Sequence, residues 1–131
     1  EGNAIFLADE PEAIRKKVMK AVTDGGPTVP NQEKPEVIQN IFQLMSVVSS
    51  KETYDYFDEM YNTCQIRYGD MKKQLAVDMI QFTEPFREKI KELLSDEAYI
   101  SKVARMGKEK ARESAAKTIR EVREIIGFKS F

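Results

Sequence analysis

From Met71 to Leu93 the apolar residues Met71, Leu75, Met79, Phe82, Phe86, Ile90 and Leu93 recur at intervals of four or three. That spacing puts them on one side of an α-helix and is incompatible with a strand, whose faces alternate every second residue. Pro85 lies inside the pattern; it removes one helical hydrogen bond and crowds the carbonyl of Gln81, so a kink is expected there rather than a stop. A helix this long needs partners for its apolar face, and the rest of the chain offers them.

Ile14, Val18 and Ala21 or Val22 form a shorter stripe, with Asp9 placed to cap it, Glu12 to complete a capping box and Pro11 in the first turn. "TDGGP" ends it, and "GGPTVPNQEKP" reads as a loop. Val37, Ile38, Ile41, Phe42, Met45 and Val48 mark a second helix opened by Pro35. Ser49 and Glu52 suggest a capping box for a short acidic helix carrying Tyr54, Phe57 and Tyr61 on one face, and "NTCQIRYGD" connects it to the long helix. Ser95 or Asp96 should cap the last helix, whose stripe is Ile100, Val103, Ala111, Ala115, Ile119, Val122 and Ile126, with Gly127 as its C-terminal stop. No segment alternates with period two except the brief "AIFLA", which has no partner strand. The expected class is all-α: a bundle of about five helices, the last two long and antiparallel across "LSDEA".

The inventory of side chains removes most chemistry. The 131 residues include no His and a single Cys, Cys64, which rules out an internal disulfide, a Ser/His/Asp triad and a Cys/His dyad and leaves no zinc set. No Gly-rich loop is followed by Lys and Ser or Thr, so "DGGPT" reads as a turn and not a phosphate cradle. Carboxylate pairs such as "DEPE" and "FDEM" have the spacing of solvated helix surface. No apolar run approaches the roughly 20 residues of a membrane span. The lone thiol fits a reducing compartment, and the expected location is cytoplasmic.

The formal net charge is −1, so any case for an anionic partner must come from local clusters. Arg15, Lys16, Lys17 and Lys20 gather on the first helix, and Lys72 and Lys73 open the long one. From Ser101 to Glu124 eight basic residues face four acidic ones, a local net of +4. Exposed i, i+4 ion pairs account for such clusters as readily as a phosphate-facing surface does. RNA reading would also want polar or aromatic groups close by, which Tyr68, Asp24 and Asn31 could supply. On spacing and charge the two readings stay open.

Specific stretches go further. "IRKKVMKAVTD", a turn, "KP" opening a helix, "YGDMKKQLA", "EPFREKI" and "KARESAAKTIREVREIIGF" occur in this order. Over essentially the whole chain this resembles the C-terminal part of the bacterial tryptophanyl-tRNA synthetases, which are class I enzymes; the tyrosyl enzymes share the architecture and match these stretches less well. The resemblance implies residues 1–8 as a seam following a KMSKS loop and a Rossmann domain not contained in the chain, and residues 9–131 as a helical anticodon-binding domain. It implies no catalytic residue and no cofactor in this piece, ATP with Mg in the parent enzyme, and an isolated piece without aminoacylation activity. The implied partners are tRNA(Trp), the Rossmann domain and, for the parent, a second copy in a homodimer.

By the same resemblance Lys72, in "YGDMKK", corresponds to an anticodon-contacting lysine, and Asp24, ending "AVTD", to an acidic residue that contacts an anticodon base. Their chemistry agrees: a lysine offers a flexible cation, and a carboxylate accepts from the exocyclic amine of a cytosine, of which the anticodon C-C-A has two. Lys16, Lys17 and Lys20 are further phosphate candidates. Plainer roles are a solvated first-turn lysine for Lys72 and a hydrogen bond within its own turn for Asp24. One loop departs from the family: "TVPNQEKPEV" keeps the lysine and proline of a charged connector but lacks its arginine and the glycine after "KP", which puts contacts through that loop in doubt. The competing reading is a free-standing helical interaction or adaptor domain. Ile5, Phe6 and Leu7, if made to pack on another domain, should here be disordered, folded back or paired with a second copy.

Overall fold

The computed structural model describes residues 4–128. Five helices follow in order: α1 (Pro11–Met19), α2 (Glu36–Val48), α3 (Lys51–Asn62), α4 (Tyr68–Ser95) and α5 (Glu97–Ile125). Among the described residues there is no strand, and the all-α class is the one expected. The chain divides into two compact units, residues 1–88 and 89–131. The antiparallel placement expected of α4 and α5 spans that division and stays an expectation.

The first unit owns the buried core. Ile14 and Val18 of α1, Ile38, Ile41, Phe42 and Met45 of α2, Phe57 and Tyr61 of α3, and Met71, Leu75, Ala76 and Met79 of α4 pack into one cluster. Phe42 meets Tyr54 and Tyr61 edge to face, at centroid distances of 5.5 and 6.2 Å. Lys34 pins the preceding loop to this aromatic group. Its ammonium lies 4.8 Å from the Phe42 ring centre and 4.7 Å from that of Tyr61, and pairs with Asp58 at 2.7 Å. That is the work of the lysine in "KP", which spacing alone did not disclose.

Helix starts differ in detail from expectation. Asp9 does not cap α1: Glu10 occupies the cap position, and its side chain does not cap the helix. The Asp9 carboxylate instead accepts from the Phe6 amide at 2.9 Å and from Lys17 Nζ at 2.6 Å. The Lys17 ammonium also sits 4.8 Å from the Phe6 ring centre. The apolar run at 5–7 is thus folded back: Ile5 packs on the core, Phe6 and Leu7 are exposed, and a turn closes from Asp9 N to Phe6 O at 3.0 Å. Residues 1–3, expected to end a mobile loop, lie outside the described residues. For α3 the cap is Ser50, accepting from Thr53 N, and not Ser49.

Helix α4 runs through Pro85 without stopping. Its expected stripe holds as far as Met79 and then turns. Phe82 and Phe86 are 40% and 44% exposed, whereas Thr83 and Arg87 are buried. The exchange is possible because both polar groups find partners. Thr83 Oγ1 donates to the Met79 carbonyl at 2.8 Å, and Arg87 Nη1 reaches Thr83 Oγ1 and the Asp9 carbonyl, each at 3.4 Å.

In the second unit, Asp96 caps α5 by accepting from Tyr99 N, as expected. Gly127, at φ 74°, ends it: Phe128 N bonds Arg123 O and Gly127 N bonds Glu124 O, the double closure that favours glycine. No described residue of α5 is buried, so its apolar stripe faces outward.

Candidate nucleic-acid interface

The segment that leaves α1 meets the first turn of α4, and this junction gathers the residues singled out in "AVTD" and "YGDMKK". Lys72 is only 9% exposed. Its ammonium donates to the Ala21 carbonyl at 2.7 Å and to Thr23 Oγ1 at 3.3 Å. Ala21 lies just past the end of α1, where carbonyls lack helical donors and the helix dipole favours a cation. Lys72 is therefore neither a solvated lysine nor a freely swinging one. A lysine has three N–H groups, and these bonds occupy two of them.

Asp24 is held from two sides through one oxygen. Its Oδ1 accepts from the Tyr68 hydroxyl at 2.7 Å and from the Gly26 amide at 2.9 Å. The plain role, a bond within its own turn, describes the second contact; the first crosses to α4. Gly26 takes φ 95°, a backbone that a side chain would strain. Burial first, then the hydrogen bond to Asp24, pushes the Tyr68 phenol well above its ordinary value, so it stays a donor at neutral pH. The other carboxylate oxygen of Asp24 is left to accept from something else, aimed by the tyrosine.

Of the three lysines on α1 and its cap, the structure brings two to this junction. Lys17 and Lys20 line a groove together with Lys72, while Lys16 does not. Lys17 is occupied by Asp9, whose carboxyl is held below its ordinary value by that lysine first and by the Phe6 amide second. Sequence reasoning missed Thr23, whose hydroxyl steadies Lys72, and offered Tyr68 as a polar or aromatic neighbour without the bond by which its hydroxyl orients Asp24. Neither role has a local signature, because each rests on a partner more than forty positions away in the chain.

Among the described residues no group of three or more His, Cys, Asp or Glu is arranged to hold a metal ion. No helix among them is long and apolar enough to cross a membrane.

Comparison with known proteins agrees with these motifs. Residues 1–84 match the family model described as tRNA synthetases class I (W and Y). The chain is 60% identical over 129 residues to a tryptophan–tRNA ligase of Porphyromonas gingivalis, covering 98% of the chain and 39% of that protein. It is 37% identical over 125 residues to that of Helicobacter pylori, covering 95% of the chain and 37% of that protein. A third, tryptophan–tRNA ligase 1 of Streptomyces coelicolor, is 34% identical over 124 residues, covering 94% of the chain and 35% of that protein. The chain thus spans under two fifths of the length of these relatives. It belongs to the class I tRNA synthetases of the tryptophan and tyrosine family.

Proposed function

We propose that this chain is the anticodon-binding helical part of a tryptophan–tRNA ligase, with tRNA(Trp) as its partner. The observation that carries the reading is the Asp24 carboxylate, with one oxygen fixed by Tyr68 and Gly26, in the segment whose Ala21 and Thr23 hold Lys72. A fixed carboxylate oxygen accepts from the exocyclic amine of a cytosine and rejects a uracil, which offers a carbonyl there. The relatives named as tryptophan–tRNA ligases support the choice of amino acid. In this reading Lys72 holds the wall that carries Asp24 and keeps one proton for a backbone or base oxygen, and Lys16, Lys17 and Lys20 add positive charge around it. Activation of tryptophan by ATP with Mg, and most of the surface that pairs two copies of the parent, belong to the part of the enzyme outside this chain, and the setting is cytoplasmic.

The test uses the full-length ligase. Changing Asp24→Asn should slow charging of tRNA(Trp) about tenfold, as expected for losing a hydrogen bond to a charged group. Tryptophan-dependent pyrophosphate exchange, which needs no tRNA, should be unchanged. Equal losses in the two assays would overturn the anticodon reading.

A further inference from the structure

Beside the Asp24 junction, α1 and α2 with the first turns of α4 enclose a groove of about 450 Å³. That is within the range of built small-molecule pockets, about 300–1,000 Å³. Its floor is aliphatic and part of the core: Val18, Ile41 and Leu75 are buried. Ile5 and Leu44 form its walls. The polar residues lining it are Lys17, Lys20 and Lys72; no carboxylate lines it. On a chain whose net charge is −1, a cleft with an aliphatic floor and three lysines, of which Lys17 is paired with Asp9, favours something apolar that carries negative charge.

The groove is continuous with the junction. Lys72 and Ala21 belong to both, since the Lys72 ammonium donates to the Ala21 carbonyl in the wall that leads to Asp24. We propose that the groove receives one unpaired nucleobase of the RNA loop that Asp24 reads, the base resting on the aliphatic floor and its phosphate meeting Lys20 at the rim. A nucleotide joins a flat apolar ring to an anion, which is the combination the lining asks for. Lys17 is tied to Asp9 and keeps the Ile5 wall in place. Lys72 is tied to the α1 terminus, so Lys20 is the lysine of the three that can follow a phosphate. This inference rests on the anticodon reading and adds to it a second base site, distinct from the Asp24 contact.

The test uses this chain and an anticodon stem-loop of tRNA(Trp) with 2-aminopurine placed in turn at each loop position. A base lifted from its stack into an aliphatic groove brightens. We expect one loop position to brighten on binding. Changing Leu44→Glu, at a wall residue 45% exposed, should abolish that signal and weaken binding about tenfold by setting a carboxylate against the RNA. Changing Val47→Glu, 68% exposed on the same helix and outside the groove, adds the same charge and should leave both nearly as they are. If no position brightens, or if the two glutamates act alike, the groove is not a base site. If instead an acidic, apolar peptide displaces the signal-bearing hairpin while the hairpin's own binding ignores Leu44→Glu, the groove is a protein-docking cleft and the proposal fails. Asp24→Asn separates the two ideas: the anticodon reading survives when this change weakens the hairpin and the groove variants do not.

Discussion

The Tyr68 hydroxyl donates to Asp24 Oδ1 at 2.7 Å, joining the loop after α1 to the first residue of α4 across forty-four positions of sequence. The bond fixes which oxygen of Asp24 is left to act. Removing only the hydroxyl, in Tyr68→Phe, keeps the packing and frees the carboxylate to rotate. Stability should fall by about 0.5–1.5 kcal/mol, the net worth of one hydrogen bond. Affinity for the tRNA(Trp) anticodon stem-loop should fall several-fold, which urea titration and fluorescence anisotropy would separate.

Lys72 should behave as a structural residue as well as a candidate contact. Lys72→Met keeps the length of the side chain but strands the Ala21 carbonyl and Thr23 hydroxyl that it serves. We expect a loss of about 1–3 kcal/mol in denaturant unfolding. A surface lysine would cost almost nothing, so an unchanged midpoint would contradict the assignment.

The turn of the α4 stripe makes opposite predictions for neighbouring residues. Leu75→Ala, at a fully buried site, should cost about 2–5 kcal/mol. Phe82→Ala and Phe86→Ala remove larger side chains, yet each should cost well under half of that because both rings face outward, 5.8 Å apart. Thermal unfolding of the three variants ranks them directly.

Asp9 gives a pH dependence. Its folded pKa lies below the ordinary carboxyl value of 3.8, with Lys17 the main cause and the Phe6 amide next. A depressed pKa means that the carboxylate favours the folded turn at every pH above the ordinary value, and that this contribution is lost as pH falls through the folded value. Amide exchange at Phe6 should therefore stay slow from neutral pH down to about 4, relative to an unstructured reference at each pH, and lose its protection below. In Asp9→Asn the protection should be weak throughout.

The sequence made α2, α4 and α5 legible because long amphipathic stripes constrain a helix more than any single residue does. The same regularity misled at Phe82 and Phe86. Periodicity reports where apolar residues sit, but it cannot weigh a buried Thr–Arg pair that supplies its own hydrogen bonds. Two of the expected caps, at α1 and α3, failed for a related reason. Asp9 and Ser49 had suitable side chains at suitable spacing, but Asp9 was claimed by Lys17 and the α3 cap fell one residue later. At the candidate site, the motifs pointed to Asp24 and Lys72. What fixes them in place, Tyr68 and Thr23, depends on pairings between distant segments that no local pattern records.

The most direct test of the account is the binding of this chain to the anticodon stem-loop of tRNA(Trp), bearing C-C-A, against hairpins in which each cytosine in turn is replaced by uracil. One replacement should weaken binding about tenfold in the wild-type chain, and Asp24→Asn should erase that difference. Binding that depends steeply on salt but ignores both replacements would show attraction to phosphates alone and would contradict base reading by Asp24.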